Sequence, residues 1–426
     1  MLRLNTLASL AGWCWQPFST AAIGSASMAD NPLNTTPAAS VAANGNFDRV
    51  TIALVIVAGV ASALHVGKGP IALPEMQQVF GRSLADLSGM LSVFAVVGVI
   101  GGMAAGALTQ RLGDRRVLVA GLLVVGLASI VGAAAPAYAW LIATRVVEGL
   151  GFLMVVVAAP AVLNRLTPPG KRSLVFGFWG TFMGVGIALS MLLGPLLDNW
   201  QVLWLLDGAL ALVMAACVRL RVPAGAGGRT ADRGRGAISV LRSPPTWLLA
   251  LAFGVYNMQF FAMMSFLPSY LMQRVNLSMA QAGAASALIV VANAAGNVLG
   301  GLFLQRGVRA SQVMTVGYLV AGLLGLVAFI PVTSGVAVLA CCTAFSVAAG
   351  VLPATFLASA PRSAPAPQLA PTSLGLVMQG NYLGQVVAPI TTGALFAVFG
   401  WIAVGIQIGV SAFAGVALVW LYRKYD

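Results

Sequence analysis

Uncharged apolar runs recur along the whole chain, and they constrain its fold more than any other feature. Each run reaches about 20 residues, enough for a helix that rises 1.5 Å per residue to cross a hydrocarbon layer about 30 Å thick. The runs are continuous rather than alternating, so they indicate helices and not barrel strands. We predict an all-α integral membrane protein with twelve transmembrane helices, over 50–70, 85–108, 117–135, 138–160, 174–196, 201–219, 246–270, 283–304, 312–331, 335–358, 371–396 and 400–422.

Composition agrees with a membrane protein and argues against a nucleic-acid-binding one. Hydrophobic residues make up 59% of the chain and charged residues 8%, about a third of the charged share of soluble domains. The formal charge of +13 could suggest a nucleic-acid partner. The basic residues are scattered over separate short segments rather than gathered on one face, so we expect no such partner.

The distribution of basic residues between the spans predicts the orientation in the membrane. The odd-numbered connections hold only Arg82 and Arg274. The even-numbered connections and the end of the chain hold most of the others, among them Arg111, Arg115, Arg116, Arg165, Lys171, Arg172, Arg219, Arg221, Arg306, Arg309, Arg362, Arg423 and Lys424. By the positive-inside rule, both termini face the cytoplasm. We expect a monomeric, multi-pass protein of a bacterial inner (plasma) membrane.

The two halves of the chain correspond at a constant offset of 194 residues. The offset brings together pairs of glycines and prolines at helix ends: Gly106 with Gly300, Gly113 with Gly307, and Pro195 with Pro389. We therefore predict one six-helix bundle over 48–219 and a second over 246–426. The segment 220–245 between them is rich in Gly, Pro and Arg, which is typical of a solvated linker.

Residues 1–47 are harder to assign. They carry a small-residue run that resembles a cleavable signal, but cleavage there would place the new terminus outside, against the charge rule. We expect a start at Met28 rather than Met1, or a disordered cytoplasmic tail.

The connection between spans two and three resembles the signature loop of the major facilitator superfamily. Five positions match the signature: Gly106, Leu108, Arg111, Gly113 and Arg115. Gln110 stands where the family usually has an acidic residue, and Asp114 stands at an arginine position. Further matches lie in span four (Leu141, Arg145, Gly149, Gly151) and in span five, whose pattern resembles that of exporters (Gly184, Gly186, Gly194, Pro195).

This resemblance implies two bundles that rock around a site at the midplane of the membrane. It also implies a gating role for the signature loop, which we assign to Gly106, Arg111, Gly113, Asp114 and Arg115. In the family the acidic residue closes the inner gate, and here Asp114 is the candidate for that part. The other interpretation is a topology anchor with no moving part.

Charged residues inside the spans are the strongest indication of function, since each costs about 3 kcal/mol at a helix centre unless it is paired or wetted. Lys68 in span one and Arg145 in span four could share a cavity in the outer half of the membrane. An arginine fork matches a carboxylate, so we predict that these cations bind a small organic anion. Alternatively, Glu148 neutralises Arg145 within one helix and Lys68 extends to the outer surface.

Coupling to protons requires a group that takes a proton reversibly, and three residues are candidates: Glu148, His65 and Asp207. The C-terminal positions at the same offset from His65, Lys68, Arg145 and Glu148 are Gln259, Ala262, Leu339 and Cys342. The charged groups therefore belong to the N-terminal half alone.

Polar side chains in the apolar spans of the C-terminal half complete the predicted substrate site. They are Tyr256, Asn257, Gln259, Asn293, Asn297, Asn381 and Gln385. Side chains of this kind often only join neighbouring helices, which is the competing interpretation.

An enzyme is not expected, because four cysteines and one histidine show no metal-binding spacing, and we predict no cofactor. We expect a secondary active transporter, a proton symporter that moves a small organic anion by alternating access. One alternative is proton-driven efflux of amphipathic drug-like compounds. The alternative from another class is a membrane receptor or scaffold that transports nothing.

Overall fold

The computed structural model describes residues 48–168, 171–197, 199–225, 234–366 and 369–426. The predicted tail 1–47 lies outside the described residues. The first half contains α1 (Arg49–Phe80), α2 (Leu84–Leu112), α3 (Asp114–Ala133), α4 (Tyr138–Leu166), α5 (Arg172–Gly180), α6 (Phe182–Leu193) and α7 (Trp200–Arg221). The second half contains α8 (Gly234–Leu241), α9 (Pro244–Met264), α10 (Leu267–Val275), α11 (Met279–Gln305), α12 (Ala310–Ala328), α13 (Gly335–Ser359), α14 (Ala370–Phe399) and α15 (Ile402–Tyr422).

The helices agree with the twelve predicted spans. Among the described residues, 11 helices are long and apolar enough to cross a membrane, and Phe182–Leu196 is a shorter apolar helix. The fifth span is divided into α5 and α6, and the seventh into α9 and α10. The prediction of an all-α membrane protein is confirmed. Among its described residues, the predicted linker contains one short helix, α8.

The two divided spans have local causes. In the fifth span the Thr181 hydroxyl donates to the carbonyl of Phe178 at 2.8 Å, and the Thr181 N–H donates to the same oxygen at 3.1 Å. In the seventh, Pro268 follows the break and lacks the N–H that would continue the helix. Its counterpart Pro74 lies inside the uninterrupted helix α1. The repeated proline therefore divides a helix in only one half.

Corresponding turns in the two halves share backbone geometry. Gly113 has a φ of 90° and Gly307 a φ of 81°, a region that residues with a side chain rarely adopt. Capping boxes begin the helices that precede these turns, with Ser83 at the start of α2 and Ser278 at the start of α11. The internal repeat seen in the sequence is therefore also a repeat of local structure.

Small residues let the helices approach closely, as expected where lipid supplies no apolar attraction between them. A Cβ atom at Gly149 of α4 would lie 2.1 Å from the carbonyl oxygen of Phe94 on α2. At Gly380 of α14 it would lie 1.9 Å from the carbonyl oxygen of Ala250 on α9. Any side chain at these two positions would force the helix pairs apart.

Helices from the two halves also pack against each other. A Cβ atom at Gly98 of α2 would lie 2.7 Å from the ring of Tyr382 on α14. At Gly283 of α11 it would lie 2.3 Å from the carbonyl oxygen of Met191 on α6. Residues Phe47–Asp426 form one compact unit. Separate movement of 48–219 and 246–426 therefore stays a prediction.

Candidate functional site

A cluster of buried charged side chains lies between α1 and α4. Helix α1 supplies His65 and Lys68, and α4 supplies Arg145 and Glu148. Within each pair the residues are three positions apart, so both side chains leave the helix on one face. All four are at most 1% exposed. Such burial is tolerated only if the charges neutralise one another.

Glu148 is the counter-ion for two cations. Its Oε1 accepts a hydrogen bond from Lys68 Nζ at 3.2 Å, and its Oε2 accepts one from Arg145 Nη1 at 2.6 Å. His65 Nδ1 lies 3.7 Å from the same Oε2. One carboxylate therefore fixes both predicted substrate-binding cations, and the alternative that Glu148 neutralises Arg145 within one helix describes part of this arrangement.

Lys68 is held inside the bundle by several partners. Its Nζ donates to Ser129 Oγ at 2.6 Å and lies 3.0 Å from His65 Nδ1. Ser129 in turn donates to the carbonyl of Trp204 at 2.7 Å, and Lys68 Nζ lies 4.3 Å from the centre of the Trp204 ring. The alternative that Lys68 extends to the outer surface is therefore wrong, because these contacts hold the ammonium group at depth.

Arg145 uses only part of its guanidinium group in these contacts. Nη1 donates both to Glu148 and to the carbonyl of His65, the latter at 2.8 Å. Within the described residues, Nε is buried without a partner and Nη2 makes no hydrogen bond. The guanidinium carbon lies 4.4 Å from the centre of the Phe94 ring. Nε and Nη2 are thus without partners in the described part of the chain, and Nε is shielded from solvent in this conformation.

Asp207 of α7 adds a second buried carboxylate. It interacts electrostatically with Lys68 and with Arg145. Its Oδ2 has no hydrogen-bond partner within the part of the chain that the structure describes. Unlike Glu148, this carboxylate is not fixed by a cation.

A small cavity lies next to the charged cluster and is lined by both halves of the chain. The volume of this cavity is about 30 Å³, which is room for about two waters. Of the described residues that line it, Arg145 alone is charged. The lining residues are Val66, Pro70, Leu91, Phe94, Ala95, Arg145, Ile187, Met191, Phe260, Phe261, Met264, Ser265, Val290 and Gln385.

An apolar cluster joins the two halves near the odd-numbered connections. It contains Ile71, Leu73 and Met76 from the last part of α1, together with Phe266 between α9 and α10. Partly buried Met279 of α11 packs against the same cluster. Side chains of both halves therefore close this end of the molecule in this conformation.

The predicted site residues divide into two groups. Arg145 and Gln385 line the cavity, whereas the remaining substrate candidates are absent from its described lining. Asn257 donates to Asn381 at 2.6 Å, Asn297 donates to Asn293 at 2.9 Å, and Gln259 donates to the carbonyl of Tyr318 at 3.5 Å. The Asn297–Asn293 bond lies within α11, whereas Asn257, Gln259 and Asn293, which donates to the carbonyl of Ser346 on α13 at 3.1 Å, join neighbouring helices, as the competing interpretation describes. Binding of substrate by these amides stays a prediction.

The family follows from a match that covers most of the chain. A family model described as the Major Facilitator Superfamily matches residues 52–373. The chain belongs to that superfamily. A solved structure supports the fold: an inward-facing, occupied bacterial homologue of the human lysosomal transporter Spinster aligns with a TM-score of 0.72 and 16% identity, covering 90% of this chain and 96% of that one. The predicted superfamily and its twelve-helix fold are confirmed.

Two of the curated relatives illustrate the different kinds of substrate that the names of the relatives indicate. A puromycin resistance protein of Streptomyces alboniger is 34% identical over 180 residues, which is 41% of this chain and 35% of the relative. A 4-hydroxybenzoate transporter of Pseudomonas aeruginosa is 32% identical over 154 residues, which is 35% of this chain and 34% of the relative. The chain thus spans about a third of the length of these relatives.

The signature loop between α2 and α3 makes specific contacts in this chain. Asp114 binds Arg165 through two hydrogen bonds, Oδ2 to Nε at 2.7 Å and Oδ1 to Nη2 at 3.0 Å. Arg165 Nη2 also donates to the carbonyl of Pro223 at 3.0 Å, and Arg115 Nη1 donates to that of Val222 at 3.1 Å. The loop is thereby attached to the segment that follows α7. The other predicted gating residues are Gly106 within α2, the exposed Arg111 in its last turn, and Gly113 at the turn.

Three contacts of the charged cluster were not predicted from the sequence. Ser129 and Trp204 hold Lys68, and Phe94 faces Arg145. Single serine and aromatic residues in apolar spans are common, so nothing in their local sequence singles them out. The one available signal is that Trp204 precedes Asp207 by three residues and therefore shares its helix face.

Proposed function

We propose that this superfamily member is a secondary active transporter that moves a small organic anion by alternating access, coupled to protons. The observation that carries the proposal is that Arg145 lines a cavity between the halves and that its Nε and Nη2 are without partners among the described residues. Arg165 uses the same two nitrogens to bind the Asp114 carboxylate. Arg145 can hold a substrate carboxylate in the same bidentate manner.

The closed end of the molecule, near the odd-numbered connections, supports a mechanism of alternating access. The apolar cluster around Phe266 closes the side of the odd-numbered connections, which the distribution of basic residues assigns to the outside. We propose that the two bundles, 48–219 and 246–426, separate at this cluster to admit substrate and close again around Arg145. Both termini are then cytoplasmic, in a bacterial inner membrane, and one chain contains the whole pathway.

Asp207 is the best candidate for the proton carrier. Glu148 is fixed by two cations, whereas Asp207 Oδ2 has no partner among the described residues. A buried carboxylate without a hydrogen-bonded cation is less costly when it carries a proton. His65 is the second candidate, because its Nε2 is buried without a described partner.

The direct test is uptake of organic acids into proteoliposomes under an imposed proton gradient. We expect accumulation by the wild type and none by Arg145→Gln. The matched control is Arg423→Gln, at an exposed residue beyond α15, which should transport as the wild type does. Normal uptake by Arg145→Gln would contradict the proposal. If the wild type accumulates none of the organic acids tested, a receptor or scaffold is favoured.

Efflux of amphipathic drug-like compounds is the second candidate. The named puromycin resistance relative and the apolar cavity lining favour it. A cationic drug, however, would meet Arg145 and no acidic side chain among the described lining residues. Accumulation of a cationic drug in inside-out vesicles, unaffected by Arg145→Gln, would establish efflux instead.

A further inference from the structure

We infer that the substrate is an aromatic monocarboxylate with a single ring, an inference that rests on the proposed function and makes it more specific. Three features of the cavity lead to it: one free cationic edge, aromatic side chains from both halves, and one free amide from the C-terminal half.

The charge of the cavity fits one carboxylate. Lys68 is fully engaged with Glu148 and Ser129, so the Arg145 edge is the free cationic group of the cluster among the described residues. One guanidinium edge binds one carboxylate with two parallel hydrogen bonds, as the Arg165–Asp114 pair shows. A second carboxylate on the substrate would be buried without a partner, which weakens binding.

Aromatic side chains stand where the body of such a substrate would lie. Phe94 contacts the Arg145 guanidinium group, so a ring attached to the bound carboxylate begins next to an aromatic wall. Phe260 and Phe261 line the cavity from α9, with ring centres 5.6 Å apart and planes at 80°. Rings in offset or edge-to-face contact gain about 0.5–1.5 kcal/mol beyond the area that they bury.

Gln385 gives the cavity a polar group on the side of the C-terminal half. Its side chain lines the cavity and has no hydrogen-bond partner among the described residues. An amide can donate to or accept from a hydroxyl group. A ring hydroxyl opposite the carboxylate would therefore bind here, which connects α14 to the substrate and through it to α4.

The small size of the cavity favours a substrate with one ring over a larger one. The space now open holds about two waters, so even one ring requires side chains to move. Met191 and Met264 line the cavity, and unbranched methionine side chains change rotamer readily. A molecule with several rings would need the helices themselves to separate.

Equilibrium binding to the purified full-length protein in nanodiscs tests this inference. The probes are benzoate, 4-hydroxybenzoate, cyclohexanecarboxylate, benzamide and terephthalate. Benzoate should bind about 2- to 10-fold more tightly than cyclohexanecarboxylate, the range that an aromatic contact supplies. Benzamide, which lacks the charge, and terephthalate, which has a second one, should bind at least about 10-fold more weakly than benzoate.

Two conservative variants test the individual contacts. Phe94→Leu should bring the ratio of benzoate affinity to cyclohexanecarboxylate affinity to about 1. Gln385→Leu should bring the ratio of 4-hydroxybenzoate affinity to benzoate affinity to about 1. Size-exclusion profiles and thermal unfolding of both variants establish that they are folded.

The outcomes separate this inference from the proposed function. Equal binding of benzoate and cyclohexanecarboxylate by the wild type, or no binding of either, overturns the aromatic inference. If other organic acids still accumulate in proteoliposomes in an Arg145-dependent manner, the proposed function survives. Equal binding of benzamide and benzoate overturns both, because the charge would then play no part.

Discussion

The N-terminal half buries Lys68, Arg145 and Glu148 in contact with one another, whereas the C-terminal half has apolar or small residues at the corresponding positions. Ala262 and Cys342 correspond to Lys68 and Glu148, and both are fully buried. The same architecture therefore forms with and without the charges. The fold does not require the charged cluster, so we attribute the presence of the cluster in one half to function.

Buried polar groups of the C-terminal half are of another kind. Asn257 and Asn381 form a neutral amide pair between α9 and α14. Breaking such a pair in a membrane costs about 0.6–1.7 kcal/mol, while removing one member of a buried ion pair costs about 3–5 kcal/mol. The two halves should therefore respond very differently to substitution.

The largest effect is expected from Glu148→Gln. This change leaves Lys68 and Arg145 buried without their counter-ion, and we expect the free energy of unfolding to fall by about 3–5 kcal/mol. The measurement is chemical or thermal unfolding of the purified protein in detergent. A variant as stable as the wild type would show that the cluster is solvated and not close-packed as described.

A triple variant can give the N-terminal half the residues that the C-terminal half has at these positions. The triple variant Lys68→Ala, Arg145→Leu, Glu148→Cys removes both charge signs of the cluster together, and Asp207 is the buried carboxylate that remains beside it. Replacement of a whole buried ion cluster by apolar groups is often neutral or stabilising. We expect a folded protein that fails to accumulate substrate. A triple variant less stable than Glu148→Gln would show that the fold does require the charged cluster.

Asp207→Asn should affect coupling more than stability. The amide keeps the shape of the side chain and cannot exchange a proton at neutral pH. We expect uptake driven by a proton gradient to be lost, while exchange of substrate for substrate continues without a gradient. Both are measured in the same proteoliposomes. If uptake in the variant still follows the proton gradient, Asp207 is not the carrier, and His65→Gln becomes the next variant to test.

A smaller effect is expected from Asn257→Leu in the C-terminal half. The change removes the hydrogen bond to Asn381 and should lower the free energy of unfolding by about 0.6–1.7 kcal/mol. Substrate affinity should not change, since neither amide is part of the described cavity lining. A 10-fold loss of affinity, measured by equilibrium binding, would restore both asparagines to the substrate site.

The smallest change in stability is expected from Asp114→Asn. The Arg165 side chain is 31% exposed, and ion pairs near solvent contribute about 0–1 kcal/mol. If the loop acts as a gate, the turnover rate should change although stability does not. The control is Asp426→Asn, at the end of the chain away from this loop. Identical turnover in Asp114→Asn and the wild type would favour the topology anchor.

Much of the fold could be predicted from the sequence, because the length of an apolar span is set by the thickness of the bilayer. The charged site was only partly predictable. The three-residue spacing within α1 and α4 placed His65 with Lys68 and Arg145 with Glu148. The contacts with Ser129 and Trp204 depend on the packing of α3 and α7, which local sequence does not encode. The polar side chains of the C-terminal half could not be divided into cavity and helix contacts for the same reason.

Affinity for benzoate in Arg145→Lys tests whether the Nε–Nη2 edge of Arg145 binds the substrate carboxylate, because lysine keeps the charge and removes that edge. The measurement is equilibrium binding to the purified variant, compared with the wild type and with Arg145→Gln. Loss of charge-assisted hydrogen bonds predicts affinity about 10- to 100-fold weaker than that of the wild type. Wild-type affinity in both Arg145→Lys and Arg145→Gln would contradict the account.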